Sequence, residues 1–155
     1  MLNITHQYLI RQFVARFINE GTVVDTQLVD EGKVAIDPIH RENNPIPVPT
    51  KKSTVAEKYT FVKWNPDYFE EMYGDKNYTA VYRPDPMEYT ISYTGLGVKP
   101  YSATVKYGEV VEYPYETPTY TEPANRYYWF KGWDKSGYAN GDKTIKAKYD
   151  TCSYV

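Results

Sequence analysis

The strongest constraint in this sequence is that it repeats itself. An offset of 76 positions carries Phe13, Ala15 and Phe17 onto Tyr89, Ile91 and Tyr93, and Val29, Gly32, Val34 and Pro38 onto Val105, Gly108, Val110 and Pro114. The offset then falls to 69, so that Pro49-Thr50 meets Pro118-Thr119 and Tyr59, Phe61 and Trp64 meet Tyr128, Phe130 and Trp133. A last change to 67 aligns Gly74-Asp75 with Gly141-Asp142, and Ala80 and Tyr82 with Ala147 and Tyr149. Matches in fixed order, with length changes confined to connections, are the mark of a duplicated unit. A chain of 155 residues can hold two such small units, each with its own core.

The alternation Phe13-Val14-Ala15-Arg16-Phe17 reads as a strand, and so does Tyr89-Thr90-Ile91-Ser92-Tyr93. In each copy a second strand follows, Thr26–Val29 or Ala103–Tyr107. A turn glycine comes next, Gly32 or Gly108, where a positive φ is expected. A short segment, Lys33–Ile36 or Glu109–Tyr113, leads to a proline, which cannot donate to a ladder. A Pro-rich crossing precedes the aromatic strand, and a Gly-Asp turn introduces the last strand, Tyr78–Tyr82 or Thr144–Tyr149. Tyr is the dominant aromatic, 18 residues against 5 Phe and 3 Trp, and suits half-buried pleated surfaces. The expected class is mainly β, α+β at most, with one helical turn allowed at Asp67–Met72.

The divisions expected are an N-terminal arm (1–10), a first module (11–83), a Pro-rich linker (84–87), a second module (88–150) and a tail (151–155). Phe13, Phe17, Phe61, Trp64, Tyr93, Phe130 and Trp133 are the expected core. Trp64 and Trp133, with their aromatic neighbours, could instead form sugar-stacking platforms, but alternate residues of a half-buried strand face inward and core is the better reading. Trp129 alternates with Phe130 and is expected to face out, as a candidate contact residue. Leu2, Ile4, Tyr8, Leu9 and Ile10 belong to neither copy. They read either as a terminal strand packed on the chain itself or as an arm docking on a partner.

Charge excludes several classes. With 18 basic and 20 acidic residues interspersed, no tract suits nucleic acid. Cys152 is the only cysteine, too few for a disulfide framework or a zinc site. Neither His6 nor His40 has an evident sequence partner for metal or general-base work. Asp67, Glu70 and Glu71 lack the spacing of a Ca²⁺ loop. No phosphate loop or nucleophile motif is present, so no catalytic, cofactor or metal residue is assigned. The first ten residues lack the features of a secretion signal, and no stretch is long enough to cross a bilayer.

Val105-Lys106-Tyr107-Gly108-Glu109-Val110-Val111, Trp129-Phe130-Lys131-Gly132-Trp133 and Gly141-Asp142-Lys143-Thr144-Ile145-Lys146-Ala147-Lys148-Tyr149 resemble the Listeria–Bacteroides repeat, also called the internalin B-repeat. The first copy departs from it, with Val62-Lys63-Trp64 where Lys-Gly-Trp is usual and a longer Pro-rich crossing. The resemblance covers residues 11–150 and implies two tandem β-grasp-like modules with curved mixed sheets. It implies spacer, stalk or weak binding roles, not a reaction. A repeat-only chain without export or anchoring signals points to a structural accessory protein of a virus particle: a phage capsid decoration, head fibre or tail appendage. Its partners would be capsid or tail proteins or further copies of itself, reached through the arm. The alternative is an adhesin-type or glycan-binding module of a bacterial cell surface.

Overall fold

The computed structural model describes residues 9–121 and 126–153. Eight strands account for the regular structure of these residues: β1 (Gln12–Asn19), β2 (Thr22–Asp30), β3 (Glu57–Asn65), β4 (Lys76–Pro86), β5 (Glu88–Thr94), β6 (Tyr101–Lys106), β7 (Arg126–Trp133) and β8 (Lys143–Ser153). They form two four-stranded sheets, ordered β2-β1-β4-β3 and β6-β5-β8-β7. The chain is therefore all-β among the described residues, two tandem modules with the same mixed, β-grasp-like sheet. The helical turn allowed at Asp67–Met72 does not form. Met72 is instead fully buried, and its N–H and C=O are bonded to Lys33 and Gly32, which holds the segment extended.

Each sheet is built round a parallel pair. β1 runs parallel to β4, with Phe17 opposite Tyr78, and β5 runs parallel to β8, with Tyr93 opposite Ile145. An antiparallel hairpin partner flanks the first strand of each pair. The β1–β2 turn is two residues long, and Glu20 and Gly21 both adopt positive φ (50° and 77°), the twist that flanking strands favour. Gly32 and Gly108 also take positive φ, 82° and 87°, as their turn positions required. The segments Lys33–Ile36 and Glu109–Tyr113 form no regular strand, although Val110 makes an isolated bridge with Tyr138.

The same backbone bonds recur in both modules. Gly32 N–H donates to Met72 O, and Gly108 N–H to Ala139 O, each at 2.9 Å. Met72 N–H returns to Lys33 O and Ala139 N–H to Glu109 O, each at 2.8 Å. The aspartate of the Gly-Asp turn is a clasp: Asp75 Oδ1 accepts Val14 N–H and Asp142 Oδ1 accepts Thr90 N–H, both at 2.8 Å. The turn that launches the last strand is thus tied to the backbone of the first.

Alternation fills one face of each sheet. In the first module Ala15, Phe17, Val29, Ala35, Trp64, Met72 and Tyr78 are buried, with Phe13 and Phe61 packed against them. In the second, Ile91, Tyr93, Val98, Val111, Ala139 and Ile145 are buried, and Trp133 packs against them half-buried. The odd spacing of Phe130 and Trp133 is reconciled by a β-bulge between Phe130 and Gly132, which brings the two rings to 5.1 Å. Among the described residues, one compact unit comprises residues 9–52 with Tyr59–Pro84, and the other Ser53–Lys58 with residues 85–121 and 126–153. Of the expected linker 84–87, Pro84–Pro86 form the end of β4, and the two compact units divide between Pro84 and Asp85.

Gly137 marks the tightest packing in the second module. A Cβ there would lie 1.9 Å from Val111 O and 2.9 Å from the Tyr93 hydroxyl oxygen. Backbone cannot yield this far without losing the Val111 N–H bond to Gly137 O. Gly137→Ala is expected to destabilise the second module by about 3 kcal/mol or more, measured as an earlier denaturant transition. Gly74→Ala, where nothing lies within 4 Å of the added Cβ, should shift the first module's transition far less.

Candidate functional site

The polar chemistry of the described residues is held in pairs rather than gathered into a catalytic cluster. No group of three or more His, Cys, Asp or Glu side chains that could hold a metal occurs among them. Glu71 accepts the Tyr73 hydroxyl at 3.0 Å, Asp67 pairs with Lys63 at 3.3 Å, and Glu70 pairs with Lys76. The acidic stretch is therefore spent on local pairs. Glu70 holds the Lys76 ammonium above the usual lysine range, despite some opposition from burial.

His40 corrects the sequence expectation. It does have a partner, Asp37, whose Oδ2 lies 3.0 Å from Nδ1. Asp37 Oδ1 also accepts the Ile39 N–H at 3.0 Å and the Trp64 indole N–H at 3.3 Å. Burial pushes the Asp37 carboxyl up, but the bonds from His40, Ile39 and Trp64 outweigh it and hold it below its ordinary 3.8. With the His40 side chain 80% exposed, this is a clasp over Trp64.

Of the expected arm, Leu2, Ile4 and Tyr8 lie outside the described residues. Leu9 and Ile10 precede β1 and are exposed, Leu9 at 94%. Trp129 lies on β7 opposite Asp150 of β8 and is 53% exposed. Tyr127, two residues earlier on the same face, is exposed as well, and the rings stack at 6.1 Å with a 29° tilt. The pair forms an aromatic strip on the face of β7 opposite to Phe130. Of the residues expected in the core, Phe17, Trp64 and Tyr93 are buried, while Phe13, Phe61, Phe130 and Trp133 are partly covered.

The two tryptophans that the repeat equates sit in different surroundings. Trp64 is 4% exposed. The longer crossing of the first copy roofs it: Pro38 is fully buried, Ile39 and Ile46 pack on the core, and Ile46 N–H bonds to Pro38 O at 2.9 Å. In the second copy the crossing has seven fewer residues and Pro114, the counterpart of Pro38, is exposed. An open cleft of about 320 Å³ results, lined by Tyr93, Tyr113, Tyr115, Phe130 and Trp133, with Glu112, Thr117 and Pro118. Tyr113, Tyr115 and Glu112 were not singled out from the sequence. The signal that could have found them is the shortened crossing, which removes cover from a tryptophan retained in both copies.

No protein-family model and no curated protein sequence matches the chain. Among solved structures, domains 3-4 of the Streptococcal High Identity Repeats in Tandem (SHIRT) of a cell surface protein are similar over 92% of this chain and 99% of that chain. The identity is 15% and the TM-score 0.36, a distant likeness that adds nothing to what the sheet order already shows.

The Asp37 clasp gives a sign for pH. A carboxylate held below its unfolded value stabilises the fold above that value and loses the contribution as pH falls through the folded one. The thermal midpoint of the first module should therefore exceed that of Asp37→Asn at pH values above 3.8. That margin should shrink as pH drops below 3.8; a pH series of melting curves on both proteins measures it.

Proposed function

We propose that this chain is a non-catalytic tandem repeat protein, a divergent pair of Listeria–Bacteroides-type repeats, that acts by display and contact at a bacterial cell surface. The observation that carries the reading is the exposed Tyr127–Trp129 strip on β7. Large aromatic rings are expensive to leave in water and are the side chains that anchor interfaces and stack on sugar rings. Here they stand on the face of β7 opposite to the core aromatics Phe130 and Trp133. Their half-exposed rings and the adjoining Lys131–Asp150 ion pair at 3.3 Å give a flat apolar patch with a polar rim. A glycan or a surface protein of the opposing cell is the kind of partner such a patch takes. Duplicated modules suit the role, because weak sites on one chain, or on many displayed chains, add through effective concentration.

Attachment to a virus particle through the N-terminal arm draws support only from the exposed Leu9 and Ile10. Their exposure does not specify a partner, and the surface reading is favoured because Trp129 and Tyr127 form a defined patch.

The test is a glycan and surface-protein array probed with the whole chain and with Trp129→Ala. Binding by the wild type that falls about tenfold, or about 1.4 kcal/mol, in the variant supports the proposal, provided both melt at the same temperature. A blank array with folded protein, or a signal indifferent to Trp129→Ala, sinks it.

A further inference from the structure

We infer that the aromatic cleft of the second module is a binding site for a quaternary ammonium group, the headgroup chemistry of choline. Its walls are Tyr115, Tyr113, Trp133 and Phe130, each ring adjoining the next at 5.5, 4.9 and 5.1 Å with planes inclined by 77°, 52° and 68°. The rings touch one another in edge-to-face and tilted contacts, and all four line the same open cleft as an aromatic box. The negative face of an aromatic ring attracts a cation that has given up its water, and a methylated ammonium gives it up most readily. Lys99, whose ammonium lies 4.1 Å from the Tyr115 ring centroid, is not among the residues that line the cleft.

The polar groups fit the same ligand better than they fit a sugar. Glu112 lines the cleft and supplies one negative charge. Burial, and then that charge, raise the Tyr93 hydroxyl above its ordinary 10.0, which places the carboxylate in electrostatic reach of the floor. Two of the phenol donors are turned to backbone, Tyr93 to Val111 O and Tyr113 to Lys99 O. A polyol would need those donors, whereas a methylated cation needs only faces and one counter-charge. A volume of about 320 Å³ is at the lower end for small-ligand sites and ample for this group.

The first module supplies a control within the same chain. At the positions of Glu112, Tyr113 and Tyr115 it has Ile36, Asp37 and Ile39, and Trp64 is roofed. The box and its carboxylate belong to the second copy alone. The site also lies on the face of β7 opposite to Trp129, so its fate is separate from that of the surface strip.

The experiment is a titration of the full chain with choline, with its neutral carbon isostere dimethylbutanol, and with glucose, read by calorimetry and by the indole N–H resonances. Saturable choline binding that shifts Trp133 and leaves Trp64 in place is expected, with the isostere weaker by about fivefold or more. Glu112→Gln and Tyr115→Ala, both at exposed positions, should each weaken choline by about fivefold while melting with the wild type. Trp129→Ala should bind choline unchanged. Equal binding of the isostere, preference for glucose, or no saturable binding by folded protein would overturn the inference.

Discussion

Each module depends on the parallel pairing of its first and last strands. Parallel neighbours cannot be joined by a tight turn, and here they are flanked by β2 and β3, or β6 and β7, at opposite edges of the sheet, so the connection between those edge strands must leave the sheet and cross it. That excursion is what covers the apolar face, and it explains why so much sequence between β2 and β3 is neither strand nor helix. The pairing is fixed by a polar clasp rather than by packing alone: Asp75 holds Val14 N–H and Asp142 holds Thr90 N–H. A slip of one residue would break the clasp and turn Phe17 or Tyr93 out of the core. Register, topology and the path of the crossing thus follow from one juxtaposition, repeated.

Because the crossing is the roof, its length decides how far the core is closed. Seven additional residues let the first copy pass Pro38, Ile39 and Ile46 over Trp64 and tie Asp37 to its indole nitrogen. The shorter route of the second copy leaves Trp133 with aromatic neighbours on its flanks and solvent above. Tyr113, standing where Asp37 stands in the first copy, packs 4.9 Å from that tryptophan instead of hydrogen-bonding to it. The backbone scaffold tolerates both arrangements because the bonds from Gly32 and Gly108 to the loop before the last strand are the same.

Much of this was legible in the sequence because repetition supplied the alignment that a lone module would lack. Strand positions, the positive φ of Gly32 and Gly108 and the inward Phe17, Trp64 and Tyr93 follow from alternation and from matched positions. What was not legible needed long-range geometry. The burial of Met72 and Ala139 comes from a loop whose backbone is bonded to the Gly32 or Gly108 turn, and no local period announces it. Asp37 meets the Trp64 indole 27 positions away only because the crossing bends over it. The cleft was hidden for the same reason, since its walls are consecutive in neither spacing nor strand. Pro84 and Pro86 argued for a linker; the two compact units do divide between Pro84 and Asp85, and the prolines sit at the end of a strand, where a missing donor is tolerated.

The two cores show which features the fold demands and which it leaves free. Ala15 and Tyr78 of the first copy are Ile91 and Ile145 in the second, all of them fully buried, so a small and a large residue have become two of middle size. Met72 has become Ala139 while Ala35 has become Val111, an exchange of the same kind. Volume is redistributed round a constant backbone, which is the substitution cores accept most readily. Tyr78 makes the point from the polar side: its hydroxyl is buried with no hydrogen-bond partner, and the isoleucine at the equivalent position shows that the site asks for bulk alone. The interior and the clasp are thus shared, so the properties that distinguish the copies must come from where they do not correspond. Those places are the crossing, with its roof or its open box, and the outer face of β7, where Tyr127 and Trp129 replace Lys58 and Thr60.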